Sequence, residues 1–192
     1  VGIVPWAVGL SFTAISLAAA AYTNRFGFTG PEIFPIENQI SQLHVADFDG
    51  DGLNDLLVVD NARSRISLLY NQTGKTNLPA TSRAEGKREL NELPPDARFR
   101  IESIASEKRI SSLAVADLNG DGRPDLAYYG DPKELIVVNH QGTNGWSTPK
   151  RWPIDDGQFS PNALCAGDLN GDGGADLVLL GERSVYFLPQ NA

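Results

Sequence analysis

Oxygen-bearing side chains recur at one fixed spacing in three nine-residue stretches, DFDGDGLND at 47–55, DLNGDGRPD at 117–125 and DLNGDGGAD at 168–176. Positions one, three, five and nine are Asp47, Asp49, Asp51 and Asp55 in the first, and Asp117, Asn119, Asp121 and Asp125 in the second. In the third they are Asp168, Asn170, Asp172 and Asp176. Calcium takes about six to eight oxygens in a flexible shell, so a short peptide that aims alternate side chains at one centre is a ligand set for it. Glycines at positions four and six of each stretch, such as Gly50 and Gly52, allow the backbone angles so tight a turn needs. The main-chain carbonyl at position seven, from Leu53, Arg123 or Gly174, would complete each shell by analogy with other calcium loops. The expectation is up to three Ca2+ ions. An EF-hand also opens with alternating acids, but it requires a bidentate Glu at position twelve, and here that position is Val58, Tyr128 and Leu179.

The plain alternative is that these are Asp-Gly turns joining strands, since Asp, Asn and Gly dominate turns for local reasons. Recurrence of one ligand pattern in three copies argues for the cation, and so does charge. Ten of the 24 acidic residues lie in the three loops, and the remaining fourteen are outnumbered by 16 Lys and Arg. The formal charge of −8 is therefore concentrated where carboxylates repel one another unless a cation sits among them.

A length of 192 residues with 41% apolar and 21% charged content suits an ordinary globular domain, and the acidic balance speaks against nucleic acid as a partner. The single Cys165 has no disulfide partner in the chain and is expected to be a small core residue. His44 and His140 are the only histidines. His44 shares its repeat position with Ala114 and Cys165 and is expected to pack in a strand, whereas His140 is expected to be exposed in a polar turn. No catalytic set emerges, and an enzyme is not the expectation.

Residues 1–23 carry no charge and are apolar or small for about the span of a bilayer. They read as a hydrophobic helix, either a secretory signal with a small-residue cleavage site within 18–21 or a retained transmembrane anchor. Either reading exports residues 24–192 to the periplasm, cell surface or medium, where free calcium suits weak loops of this kind.

Each loop sits between two apolar runs. Residues 40–48, 110–118 and 163–169 lead in, and 56–59, 126–129 and 177–180 lead out, apolar on both faces as strands covered on both sides are. Residues 66–70, 135–138 and 185–188 form a further strand type. An alternating run with internal proline, EIFPI at 32–36, ARFRI at 97–101 and KRWPI at 150–154, reads as an edge strand that opens each unit. The expectation is three four-stranded units, with boundaries near 40–96, 97–149 and 150–192. The loops start 70 and 51 residues apart, and the surplus lies in a polar insertion at 72–96. Trp146 is a candidate contact aromatic and Trp152 an expected core residue.

A period near 50 residues with four strands per unit is a propeller signature. The stretches VADFDGDGLNDLLVV, AVADLNGDGRPDLAYY and CAGDLNGDGGADLVLL resemble the FG-GAP or VCBS repeats, whose best-known members are the integrin alpha propellers, and the resemblance spans about residues 32–190. It implies an all-β chain of β-propeller blades with structural calcium in the hairpin between the first two strands of each blade. With no catalytic set in the sequence and the broad surfaces that propeller loops and faces offer, the preferred reading is a noncatalytic, extracellular, adhesion-type module that binds protein or carbohydrate. Asn in place of Asp at position three removes a charge from the second and third loops, which are expected to bind more weakly than the first. Three blades fall short of the roughly four to eight that close a ring. A partial or open propeller is therefore expected, with a membrane-anchored accessory subunit or a fragment of a polysaccharide-acting enzyme as the other readings.

Overall fold

The computed structural model describes residues 30–75 and 97–190. The hydrophobic helix expected at 1–23 and most of the polar insertion lie outside the described residues. The chain divides into two compact units, Val1–Ile33 and Phe34–Ala192. Of the first, residues 30–33 are described and form neither helix nor strand.

Among its described residues the second unit is all-β and forms three open antiparallel sheets. The first takes β1 (Ile40–Ala46), β2 (Asp55–Asp60), β3 (Arg65–Asn71) and β4 (Phe99–Ala105) in that order. The second takes β5 (Arg109–Ala116), β6 (Asp125–Asp131), β7 (Glu134–Val138) and β8 (Lys150–Pro153). The third holds β9 (Leu164–Gly167), β10 (Asp176–Leu180) and β11 (Val185–Leu188). A 3-10 turn at Gly142–Asn144 is the one helical element among the described residues, and no helix there is long and apolar enough to cross a membrane.

Nine of these strands fall on the runs read from apolar patterning. The edge strands differ in where they pair. The run expected to open the second unit is β4, and it pairs with β3 of the first sheet, Tyr70 opposite Arg100. The run expected to open the third unit is β8, which pairs with β7, Leu135 opposite Trp152. Each therefore closes the preceding sheet. Residues 32–36 form no strand, and the third sheet holds three strands among the described residues. Side-chain alternation identifies a strand but carries no information on which neighbour supplies its hydrogen bonds.

Strand β6 is apolar on both faces because its sheet packs between the other two, whereas β2 and β10 each meet the second sheet on one face. One core joins Leu57, Val59, Ile66 and Leu68 of the first sheet to Leu113, Leu126, Tyr128 and Ile136 of the second. The other joins Ala127, Tyr129, Leu135 and Val137 of the second sheet to Leu164, Leu177 and Leu179 of the third. Alternate residues of β6 thus serve two interfaces, and each fully buried side chain of this size contributes about 1.5–3 kcal/mol. Polar links stitch the first strands together. Gln42 donates to the Ser111 carbonyl, Asn61 bonds both the N–H and the C=O of Ile110, and the Ser112 hydroxyl accepts from Leu164 N–H. The Lys108 ammonium, in the β4–β5 link, is buried beneath the β6–β7 turn and donates to the carbonyls of Pro132 and Glu134.

Three side chains lie elsewhere than expected. Cys165 is exposed rather than in a core, because it points to the far side of the third sheet, and Trp152 is partly exposed on β8. His140 is buried rather than exposed, with its ring 4.7 Å from that of Trp146.

β5 carries an irregularity between Ile110 and Ser112, and Gly130 of β6 lies opposite it. A Cβ on Gly130 would stand 1.9 Å from the Arg109 carbonyl oxygen. Because the obstacle is backbone, Gly130→Ala is expected to destabilise the protein by about 1–3 kcal/mol, the usual scale of overpacking. The urea midpoint measures it, and an unchanged midpoint would show that the strands part freely there.

Candidate metal centres

Each acidic loop is the hairpin connection between the first two strands of its sheet: β1–β2, β5–β6 and β9–β10. The three adopt one conformation. The position-one carboxylate folds back over the loop and collects backbone amides. Asp47 Oδ1 accepts from Gly50 N–H at 2.7 Å and its Oδ2 from Gly52 N–H at 2.8 Å. Asp117 accepts from Gly120 and Gly122 at 2.7 and 2.8 Å, and Asp168 from Gly171 and Gly173 at 2.6 and 3.0 Å. Both glycines of every loop have positive φ, between 75° and 88°, where a side chain is strained. The position-five acid receives the position-seven N–H: Leu53 to Asp51, Arg123 to Asp121 and Gly174 to Asp172, each at 2.8–2.9 Å.

The position-nine aspartate behaves differently. Asp55, Asp125 and Asp176 are fully buried, and each ties two backbone segments together. Asp55 Oδ2 accepts from Phe48 N–H at 2.9 Å, and its Oδ1 accepts from Asn71 N–H, at the end of β3, at 2.7 Å. Asp125 makes the same pair with Leu118 and His140, and Asp176 with Leu169 and Gln190. Sequence reasoning recognised these residues as ligands and missed this latch. Position nine is Asp in all three loops, but so are positions one and five, so the sequence held no signal that set it apart.

Protonation follows these surroundings. Burial pushes the Asp55 and Asp125 carboxyls up, against the pull of their amide donors. For Asp117 burial also opposes ionisation, but the amides of Gly122, Gly120, Asn119 and Asp121 outweigh it and hold the group below the ordinary carboxylate value. Asp51 is held low chiefly by the Lys75 ammonium, and Asp51 in turn raises Lys75.

Asp47, Asp49 and Asp55 each offer a carboxylate oxygen within 4.8 Å of the others, the one such cluster of Asp, Glu, His or Cys among the described residues. Its donor set fits a hard cation, and a cation already stands at its rim: Lys75 Nζ lies 2.6 Å from Asp51 Oδ2 and 3.2 Å from Asp49 Oδ2. In the other loops the position-three residue makes that bridge itself. Asn119 Nδ2 donates to Asp121 at 3.3 Å, and Asn170 Nδ2 to Asp172 at 2.8 Å. Asn119 Oδ1 and Asn170 Oδ1 remain oxygen donors at the ligand position, engaged by the position-five N–H. All three loops thus keep four oxygen-bearing side chains in one turn, with one negative charge fewer in the second and third.

Residues 117–179 match the family model of the FG-GAP-like repeat. The match spans about a third of the chain. The matched stretch opens on the first residue of the second loop and ends within β10, so it takes in two of the three acidic loops. No curated protein and no solved structure matches the chain.

The repeat's latch and its ligands are expected to separate experimentally. Asp125→Ala leaves the N–H groups of Leu118 and His140 without their acceptor and should cost about 2–6 kcal/mol, at about 1–3 kcal/mol for each unsatisfied group. The loss should persist in chelator and be larger in calcium, because Asp125 is also a proposed ligand, whereas a pure ligand would matter in calcium alone. Asp121→Asn, at the exposed rim, should be near neutral in chelator. Chemical denaturation of both variants with and without calcium makes the comparison, and equal behaviour of the two would remove the distinction.

Proposed function

We infer that this chain is a noncatalytic, exported binding module built from β-propeller blades, with calcium bracing the hairpin loop of each. The observation that carries the reading is the threefold identity of the loop: the same oxygen positions, the same glycine angles and the same amide bonds at the same corner of three stacked sheets. The residues that would hold an ion are Asp47, Asp49, Asp51 and Asp55 with the Leu53 carbonyl. Their counterparts are Asp117, Asn119, Asp121 and Asp125 with the Arg123 carbonyl, and Asp168, Asn170, Asp172 and Asp176 with the Gly174 carbonyl. Bound calcium supplies charge neutralisation to carboxylates that otherwise repel within one turn.

The chain's own residues prepare that role. Amides fix the first carboxylate, the buried aspartate fixes the last, and the rim acids remain near solvent. The noncatalytic reading is supported by the histidines: His44 is half-buried in β1, His140 is buried against Trp146, and burial lowers the basicity of both. A protein or carbohydrate surface is the class of partner this module would meet outside the cytosol, with calcium setting the shape of the loop face rather than reacting.

At a dissociation constant of about 0.1 mM and about 1 mM calcium, each loop would gain roughly 1.4 kcal/mol and three loops roughly 4 kcal/mol. For a domain of this size that is on the order of 8–16 °C in Tm. Calorimetry in calcium against excess chelator reads the shift, and a Tm that does not move would refute calcium bracing. Lys75→Ala should strengthen calcium binding at the first loop by a few-fold, since an ammonium competes for Asp49 and Asp51. Calcium titration by calorimetry in an Asp121→Asn, Asp172→Asn background isolates that loop, and unchanged affinity would mean that the lysine yields without cost.

A further inference from the structure

Residues 72–75 lead away from β3 and come back onto the first acidic loop. Their root is fixed. Asn71 N–H is held by the buried Asp55, and the Asn71 side chain donates to the Asn54 carbonyl at 3.1 Å and accepts from Thr73 N–H at 3.0 Å. Gln72 N–H donates to the Arg98 carbonyl at 2.7 Å, and Lys75 N–H closes a turn on the Gln72 carbonyl at 3.1 Å. The tip of this short segment is pinned by charge, because the Lys75 ammonium bridges Asp49 Oδ2 and Asp51 Oδ2. In the second sheet the corresponding connection between the third and fourth strands is closed by its own backbone bonds, Gln141 N–H to the Gly145 carbonyl and Ser147 N–H to the Asn139 carbonyl.

The ammonium takes the oxygens that the loop's own backbone leaves to a cation. Asp49 Oδ1 accepts from Asp51 N–H and Asp51 Oδ1 from Leu53 N–H, so one oxygen of each acid is already engaged. Lys75 holds the other oxygen of each. In the second and third loops that place is filled from within, where Asn119 Nδ2 and Asn170 Nδ2 donate to Oδ2 of Asp121 and Asp172. Lys75 thus does for a loop of four carboxylates what asparagine does for the loops of three, removing one unit of negative charge at the rim. The difference is that an asparagine belongs to its loop, whereas Lys75 comes from outside and can leave. The Lys75 side chain is 38% exposed and those of Asp49 and Asp51 are 27% and 23% exposed, and ion pairs in contact with water are weak. A divalent ion brings twice the charge to the same oxygens and repels an ammonium held beside it.

We propose that residues 72–75 are a strap that the first loop holds through Lys75 in the absence of calcium and releases when calcium binds, so that ion binding at this loop frees a neighbouring chain segment. The inference rests on the calcium reading of the loops and adds to it a regulation particular to the first. Release is confined to the tip, because Asn71 stays latched to Asp55 and Gln72 stays paired with Arg98. Gly74, with φ of +78°, stands between that fixed root and the lysine. The strap and the ion therefore exclude one another at Asp49 and Asp51 while the hairpin beneath them keeps its path.

The test is acetylation of lysine amines, read site by site by mass spectrometry, on the full chain in the Asp121→Asn, Asp172→Asn background that leaves the first loop intact. Lys75 is expected to react faster in calcium than in chelator at matched ionic strength, by roughly threefold or more, since an exposed ion pair protects an amine only modestly. Lys133, which donates to the Asp155 carbonyl at the opposite end of the second sheet, should keep its rate. Asp49→Asn gives the first loop the position-three residue that the other two already carry, and in it Lys75 should react at the fast rate in chelator and gain little from calcium. Calcium titration by calorimetry on the same samples reads occupancy of the loop. Calcium that binds without changing Lys75 reactivity would overturn the strap and leave the calcium reading standing, whereas a chain that binds no calcium would overturn both. An equal gain from sodium chloride added to chelator would also overturn the strap, because screening rather than occupancy would then be freeing the amine.

Discussion

Everything in the repeat hangs on a buried carboxylate with two amide partners. Asp55, Asp125 and Asp176 stand at the foot of their hairpins, each holding the N–H of the loop's second residue with one oxygen and the N–H at the end of the third strand with the other. A carboxylate removed from water is costly unless both oxygens are satisfied, and amide donors satisfy these. The connection fixes the loop against the sheet before any ion is considered. It also explains why three loops with different rim chemistry, one lysine-capped and two amide-capped, share one backbone path.

Much of this was legible in the chain itself. The spacing of Asp47, Asp49 and Asp51 between glycines is a local property, and local properties survive folding: the turns, their positive φ angles and the flanking strands stand where patterning placed them. The double-faced apolar run of β6 was likewise readable, because Leu126 and Tyr128 meet one neighbour while Ala127 and Tyr129 meet the other.

What failed to show was everything set by partners distant in sequence. Cys165 shares its repeat position with buried Ala114, yet it is exposed, since no described sheet lies over that face; position within a repeat predicts direction, not what stands in that direction. His140 follows a strand end in a polar stretch, but its backbone N–H is the one Asp125 needs, and its ring is drawn down onto Trp146. Lys75 sits 26 residues from Asp49 and 24 from Asp51, the acids it bridges, and had no motif to announce it. The edge strands erred for a related reason, because β4 and β8 are written next to the sheets they precede and bonded to the sheets they follow.

The division of labour within the loop has a bearing on how such chains change over time. Because the latch and the position-one carboxylate hold the hairpin from within, a substitution at the rim changes the charge of the loop without undoing its backbone path. At Asn119 and Asn170 that has happened without cost to the fold, one charge absent and the turn intact.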